Sequence, residues 1–525
     1  MNKHDLIAPE IYNIAMEMEK YAQGPERTAL IWQDDQGREE RITYQQLLKN
    51  ANKIGNIFLE SGLQKGDKIL VMMPRLIETY EVYLAALKTG IVLIPSSEML
   101  RTKDIQYRIT HGEAKGIVSH YPFVEQFDEI EQLDTLKKFT VGSEVNDWTF
   151  IDHQKESVSD QLEIVETNSD DIAFMPYTSG TTGNPKGVMH THAWGYAHLR
   201  TAPANWLSIE EGDIVWATAA PGWQKWVWSP LLSVLGSGAT GFVYNGKFDP
   251  KKYLQLLQDE AINVLCCTPT EYRLMAKVDN LTDYQLPELH SAVSAGEPLN
   301  REVIDTFQRH FDITVRDGYG QTESTLLLGF LKGMKVKAGS MGKPTPGNAV
   351  VLIDQDCNPV PMGEVGDIAI PLDTPALFKG YYKDEARTQK AHRGNYFVTG
   401  DQAKVDEEGY FWFEGRSDDI IVSSGYTIGP FEVEDALVKH ELVKECAVVA
   451  SPDEIRGNVV KAYIVLQEHV DENEEGLVKT LQDHVKQMTA PYKYPRKIEF
   501  IKELPKTTSG KIRRIELRQQ EMLGV

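Results

Sequence analysis

Thr79-Tyr-Glu-Val-Tyr-Leu-Ala-Ala-Leu-Lys-Thr-Gly-Ile-Val-Leu-Ile-Pro95 sets two structural periods side by side. Up to Thr89 the apolar residues recur at helical spacing, and Gly90 is the residue type that ends a helix in the left-handed conformation. Ile91 to Pro95 is then a short apolar run suited to a strand buried on both faces. The order repeats downstream. Pro250 to Glu260 is helix-like, Ile262-Asn-Val-Leu-Cys-Cys267 is apolar, and Ser291-Ala-Val-Ser294 reads as another buried strand. Helices alternating with buried strands predict an α/β fold of layered, largely parallel sheets.

The pattern changes after about Ile353. Asp406-Glu-Glu-Gly409 is a turn signal, and the aromatic run Tyr410-Phe-Trp-Phe413 suggests short antiparallel strands. Beyond Gly415-Arg-Ser-Asp-Asp419 come an amphipathic helix near Phe431 to His440, strands at Ala447–Ala450 and Val459–Leu466, and a second helix. A boundary near Asp418 follows. It separates a large domain, 1–417, with a small β-barrel-like region, from a small α+β domain, 418–525.

With 525 residues the chain has room for several domain-sized units. Its net charge of -22 argues against a nucleic-acid partner, since phosphate backbones select basic surfaces. An anionic ligand must therefore be met by a few local donors. No run approaches the ~18 apolar residues of a membrane span, and the N-terminus lacks the pattern of a signal peptide. Cys266, Cys267, Cys357 and Cys446 form no Cys-x-x-Cys pair, so neither a disulfide framework nor a zinc ribbon is indicated. A cytoplasmic protein is the expectation.

Three segments bear on chemistry. Tyr177-Thr-Ser-Gly-Thr-Thr-Gly-Asn-Pro-Lys-Gly187 combines glycines, hydroxyls and a lysine, the makings of a phosphate cradle. It is not a Walker A loop, because Gly187 follows Lys186 where Ser or Thr is required. Gly236-Ser-Gly-Ala-Thr-Gly241 fits a dinucleotide fingerprint on paper, but a strand follows it where a helix should, so it reads as a tight turn. Pro505-Lys-Thr-Thr-Ser-Gly-Lys511 places a lysine beside a flexible tip, able to reach developing phosphate charge or simply to sit in a solvated basic tail. His190-Thr-His192 lacks a third ligand nearby and is expected to support the adjacent loop instead of holding zinc.

Taken in order, these segments resemble the adenylate-forming superfamily of acyl-CoA synthetases, luciferases and peptide-synthetase adenylation domains. The likeness spans nearly the whole chain. It runs from the phosphate loop through Gly296-Glu-Pro298, Asp317-Gly-Tyr-Gly-Gln-Thr-Glu323, Gly339-Ser-Met-Gly-Lys-Pro344, Thr399-Gly-Asp401 and Gly415-Arg416 to Lys511. The resemblance implies an AMP-forming acyl-CoA synthetase using ATP, CoA and Mg2+. It implies that Thr178, Ser179, Gly180, Thr181, Thr182, Gly183 and Lys186 cradle phosphates. Gly296, Glu297 and Pro298 would wall the adenine site, with Asp317, Gly318, Tyr319, Gly320 and Gln321 beside them and Tyr319 stacked on the base. Thr322 would contact the α-phosphate, Glu323 would hold Mg2+, Asp401 would bind the ribose hydroxyls, and Arg416 would add a nucleotide contact. Lys511 would be the catalytic lysine of adenylation and a target of a protein acetyltransferase. Asp418 would be the hinge of a mobile small domain, bringing Ser424 and Gly425 to the pantetheine channel. Thr427 departs from the family, where arginine is common, so no nucleotide role falls to it.

The acid is read from three places. Acetyl-specific relatives carry tryptophan at the position of Gly320, so a glycine there is expected to leave space. Trp223, Lys225, Ala295 and Gly320 are expected to line the acyl site, with Trp226 and Trp228 as further aromatic walls. Propionate-to-octanoate acids, including 2-methyl-branched ones, are favoured over acetate. The alternatives are an aryl-acid CoA ligase, an enzyme loading a separate carrier protein, and a non-catalytic nucleotide-binding protein.

Overall fold

The computed structural model describes all residues except 179–183, 298, 300, 418, 424–425, 454–456, 474–475, 490, 507–510 and 524–525. The helix predicted from the opening stretch runs Ile77–Thr89 and ends at Gly90, whose φ of 69° is the left-handed cap. All but one of its residues are buried, so it is enclosed on every side and works as a core helix. Its polar groups are matched individually. Lys88 pairs with Glu19 at 2.6 Å, and Glu81 accepts from Asn50 and Lys155.

Two large sheets form the body. In the first, Lys68–Met72 and Val92–Pro95 run parallel in the middle, flanked by Ala114–His120 and Ile172–Phe174. Lys186–Thr191 extends that sheet antiparallel and pairs in turn with Gly380–Tyr381. The second sheet carries the parallel series Thr28–Asp34, Thr240–Asn245, Ile214–Ala217, Val264–Cys267, Ser291–Ala295 and Val315–Gly320. The suspected fingerprint at 236–241 is the turn entering Thr240–Asn245, as its flanks require.

The region after Ile353 is an antiparallel five-stranded sheet built on Gly366–Pro371, Tyr396–Val405 and Phe411–Arg416. Beyond residue 420 the chain builds a separate core. Ile421, Val433, Leu437, Val448, Ile464, Leu481 and Val485 pack together beneath Val443–Asp453 and Gly457–Leu466. Each such side chain contributes about 1.5–3 kcal/mol by leaving water. Among the described residues, no helix is long and apolar enough to cross a membrane.

Candidate active site

Strand pairing builds one end of the site. Lys186 opens the strand Lys186–Thr191, and the neighbouring pair Gly380–Tyr381 places a phenol beside its amine. Lys186 Nζ lies 3.1 Å from the Tyr381 hydroxyl and 3.3 Å from Glu323 Oε1, and the Tyr381 hydroxyl donates to that same oxygen at 2.8 Å. Both bonds fall on Oε1. A single carboxylate completed by phosphate oxygens and water is the donor set Mg2+ prefers, so these residues fit that ion.

Behind this cluster His190 Nε2 donates to the Thr322 carbonyl at 2.6 Å, fixing the backbone between Gln321 and Glu323. Burial pushes its imidazole down to about 3, so the ring is neutral. His192 is likewise pushed down to about 4 by burial, and its Nδ1 accepts from the Ile14 amide. Both histidines of His190-Thr-His192 therefore hold backbone in place.

The nucleoside end gathers at the carboxyl ends of the parallel strands, where open α/β sheets take ligands. Tyr319 and Gln321 leave the strand Val315–Gly320 and converge on Asp401 Oδ2, at 2.6 and 2.7 Å. Arg416, opposite Asp401 in strand register, reaches Oδ1 at 3.4 Å. Burial raises the Asp401 carboxyl above its ordinary value, while Arg416, these hydrogen bonds and the charge of Lys511 act against it. Gly296 follows the strand Ser291–Ala295 at φ 111°, with open space where a side chain would stand. Glu297 is held by Arg273 and Thr270 at 3.2 Å. Asp317 is buried beneath, and burial raises its carboxyl to about 7.

The acyl wall departs from expectation. A side chain on Gly320 would meet the Thr325 carbonyl at 2.2 Å and Trp228 Cη2 at 2.8 Å. The space expected at Gly320 is therefore already filled by the Trp228 indole, and no larger residue fits there. His198 holds both sides of that contact. It donates from Nε2 to the Trp228 carbonyl at 2.8 Å and accepts at Nδ1 from the Thr325 hydroxyl at 2.6 Å. Burial keeps it neutral, pushed down to about 4. Trp226 packs between Tyr80 and Tyr83, with ring centroids 4.9 and 4.7 Å away, and belongs to the core. Lys225 lies 4.7 Å from the Trp206 ring and 5.8 Å from that of Trp228, its buried Nζ without a hydrogen bond among the described residues. Trp223 is half-buried, and Ala295 is buried.

The flanks of the Lys511 segment pair with each other. Lys506 bridges Ile512, and the Arg513 amide donates to the Pro505 carbonyl at 2.8 Å. Ser179, Gly180, Thr181, Thr182, Gly183, Pro298, Asp418, Ser424 and Gly425 lie outside the described residues. Thr178 pairs with Lys186 across the loop's base. Tyr381, His198 and Trp206 were not anticipated from sequence. Each acts through an element far away in the chain, and none stands in a recognisable motif.

A family model described as AMP-binding enzyme matches residues 18–382, and one described as AMP-binding enzyme C-terminal domain matches 432–511. An uncharacterized acyl-CoA ligase, YtcI, of Bacillus subtilis (strain 168) is 61% identical across 99% of this chain and 98% of its own length. The mitochondrial acyl-coenzyme A synthetase ACSM3 of Rattus norvegicus is 41% identical across 99% of this chain and 92% of its own. Among solved structures, the anthranilate CoA ligase AuaEII in complex with anthranoyl-AMP superposes with a TM-score of 0.91 at 27% identity, covering 100% of this chain and 99% of that one.

Proposed function

This chain belongs to the AMP-binding enzyme family and is an AMP-forming acyl-CoA ligase, and on that premise we propose which of its residues carry each step. A carboxylate resists a thiol because it is anionic and lacks a leaving group. Joining it to AMP removes the charge and supplies one. Lys186 and Tyr381 meet the phosphates, and Glu323 would hold Mg2+, which would supply neutralisation of the charge developing at phosphorus. Asp401 takes the ribose hydroxyls on its two oxygens, and Tyr319 covers the base. Thr322, its carbonyl fixed by His190, presents its hydroxyl to the α-phosphate.

Lys511 bridges the attacking carboxylate and the α-phosphate. What supports this reading is that Lys511 closes the segment matched by the family's C-terminal domain model, residues 432–511. CoA then attacks the acyl carbonyl after the small domain, 418–525, turns about Asp418, bringing Ser424 and Gly425 to the thiol's path. Acetylation of Lys511 would cancel the charge of the first step. A cytoplasmic location belongs to the same proposal.

For the acid we propose short-to-medium aliphatic chains, including 2-methyl-branched ones. Support comes from the Trp228 indole over Gly320, which limits depth, and from the apolar faces of Trp206 and Trp228. The deciding assay is AMP formation over straight, branched and aromatic acids, with and without CoA. CoA-dependent turnover peaking on short-to-medium aliphatic acids is expected. Adenylate that forms but never passes to CoA would instead indicate a carrier-protein acceptor. A maximum on aromatic acids would overturn the aliphatic assignment. Lys511→Ala should abolish acid-dependent pyrophosphate release while acyl transfer from a supplied acyl-adenylate continues. Equal loss of both half-reactions would reject its role.

A further inference from the structure

A cavity of about 480 Å³ opens on the opposite side of the strand that carries Lys186. Its wall is made by the amino ends of the central strands, away from the carboxyl ends where the nucleotide residues gather. Lys68 and Val92 begin two of these strands, Ile172 begins a third, and Met175, Met189 and Tyr382 complete the apolar side. Met189 lies three positions after Lys186 on one strand, so the two face opposite sides of the sheet. Tyr381 and Tyr382 divide in the same way. The first hydroxyl meets Lys186 and Glu323, whereas the second ring lines the cavity.

The charges around the cavity are mostly paired. Lys65 holds Asp171 at 2.8 Å, and Lys383 holds Glu113 at 2.8 Å. Glu113 also accepts from the Tyr382 hydroxyl at 2.5 Å. Lys68 differs. Among the described residues it has no ion pair and no hydrogen bond, and its ammonium lies 4.9 Å from the centroid of the Tyr382 ring. A half-buried cation that faces an aromatic ring and has no ion pair or hydrogen bond among the described residues, with Glu113 and Asp67 as more distant opposite charges, stands above a wall of Val92, Ile172, Met175 and Met189 and is complementary to one negative charge on an apolar body.

We propose that this cavity binds an aliphatic monocarboxylate, with its head group on Lys68 and its chain along Met175 and Met189, as a site separate from the acyl pocket. The choice of an aliphatic acid rests on the substrate class proposed above. The volume lies within the range of small-molecule pockets, roughly 300–1,000 Å³. A single unpaired ammonium suits a monoanion better than a phosphate, which carries more charge and no apolar part.

The test uses the full-length chain with its catalytic site filled by a non-hydrolysable octanoyl-adenylate analogue. Equilibrium dialysis with labelled octanoate is expected to leave one molecule bound per chain. Lys68→Met should weaken that binding at least tenfold and Lys68→Arg should retain it, with inorganic phosphate failing to compete. In a spectrum of 13C-methyl methionine, octanoate should shift Met175 and Met189 of the blocked wild-type chain, a readout that needs no folded variant. The proposal is overturned if the blocked chain retains no octanoate, if those two methyls stay still, if folded Lys68→Met binds undiminished, or if phosphate displaces the acid. A chain that forms no AMP with any acid would defeat the catalytic reading while leaving the methyl shifts to decide this one.

Discussion

Trp228 and Gly320 share one function at the residue scale. A glycine at 320 reads from sequence as open space, yet the space is taken by the Thr325 carbonyl and by the indole of Trp228, a residue of a different segment whose backbone carbonyl His198 binds. Chain-length preference should therefore be set at Trp228. Trp228→Leu is expected to raise kcat/KM for acids longer than the wild-type optimum, relative to shorter ones, by about tenfold or more, the usual value of a methylene or two of pocket depth. A competition assay over the acid series checks this, and an unchanged ratio would place the pocket elsewhere.

Asp317 supplies a second residue-scale prediction. Burial raises its carboxyl to about 7, from an unfolded value near 3.8. A folded-state pKa above the unfolded one stabilises fully below about pH 4, and that contribution is lost as pH rises through 7. Asp317→Asn should thus flatten the fall in stability, read as Tm, between pH 4 and 7, a loss of at most about 1.4 kcal/mol of unfolding free energy per pH unit. Parallel Tm curves for both proteins would show that the carboxyl does not titrate in this range. Tyr319, Gln321, Asp401 and Arg416, which the structure brings together, stand in ordered motifs that the sequence displays. Tyr381 and His198 were not legible, because their roles arise from strand pairing and packing between segments distant in sequence.

Among elements, local periodicity was the reliable guide. The helix Ile77–Thr89 and the strand Val92–Pro95 lie where spacing and the glycine cap put them. The segment Val227–Val234 was harder. It is a wide π-type helix containing Pro230, and its Trp228 carbonyl is satisfied by the Ser233 hydroxyl at 2.7 Å as well as by His198. Such turns depend on a side chain and a distant histidine to complete the hydrogen bonding, so a periodic pattern cannot announce them.

The C-terminal helix Arg514–Leu523 is tied to the rest of the small core by ion pairs. Arg514 forks onto Glu434 at 3.0 and 2.6 Å, Glu434 also accepts from the Val448 amide, Arg518 pairs with Asp419, and Lys461 reaches Glu521 at 2.6 Å. Removing one member of the buried pair strands the other charge, at a cost of about 3–5 kcal/mol. Arg514→Leu should lower Tm accordingly and speed hydrogen exchange in 430–450 and 514–523, leaving the strands around Lys68 protected. A loss spread evenly over the chain would mean that the helix is not a local clamp.

For the molecule as a whole, the charge of -22 and the anionic substrates are reconciled by a few well-placed cations, with Lys511 contributed by the part of the chain that has its own core. In the arrangement seen here that part lies against the large one. Val438 sits in a crevice with Arg273, Ala276, Lys277 and Glu302, while Lys511 acts on Asp401. If one placement serves adenylation and another serves the thiol, fixing this contact should separate the two half-reactions. Cysteines at Lys277 and Val438, in a Cys357→Ser background, allow a cleavable bis-maleimide to span the crevice, since Cys266, Cys267 and Cys446 are buried. The cross-linked chain should retain acid-dependent pyrophosphate exchange and lose acyl-CoA formation, and cleaving the linker should restore the second step. If the tethered enzyme still made acyl-CoA at the untethered rate, both steps would have to proceed from this one arrangement. The rotation about Asp418 would then have no part in the cycle.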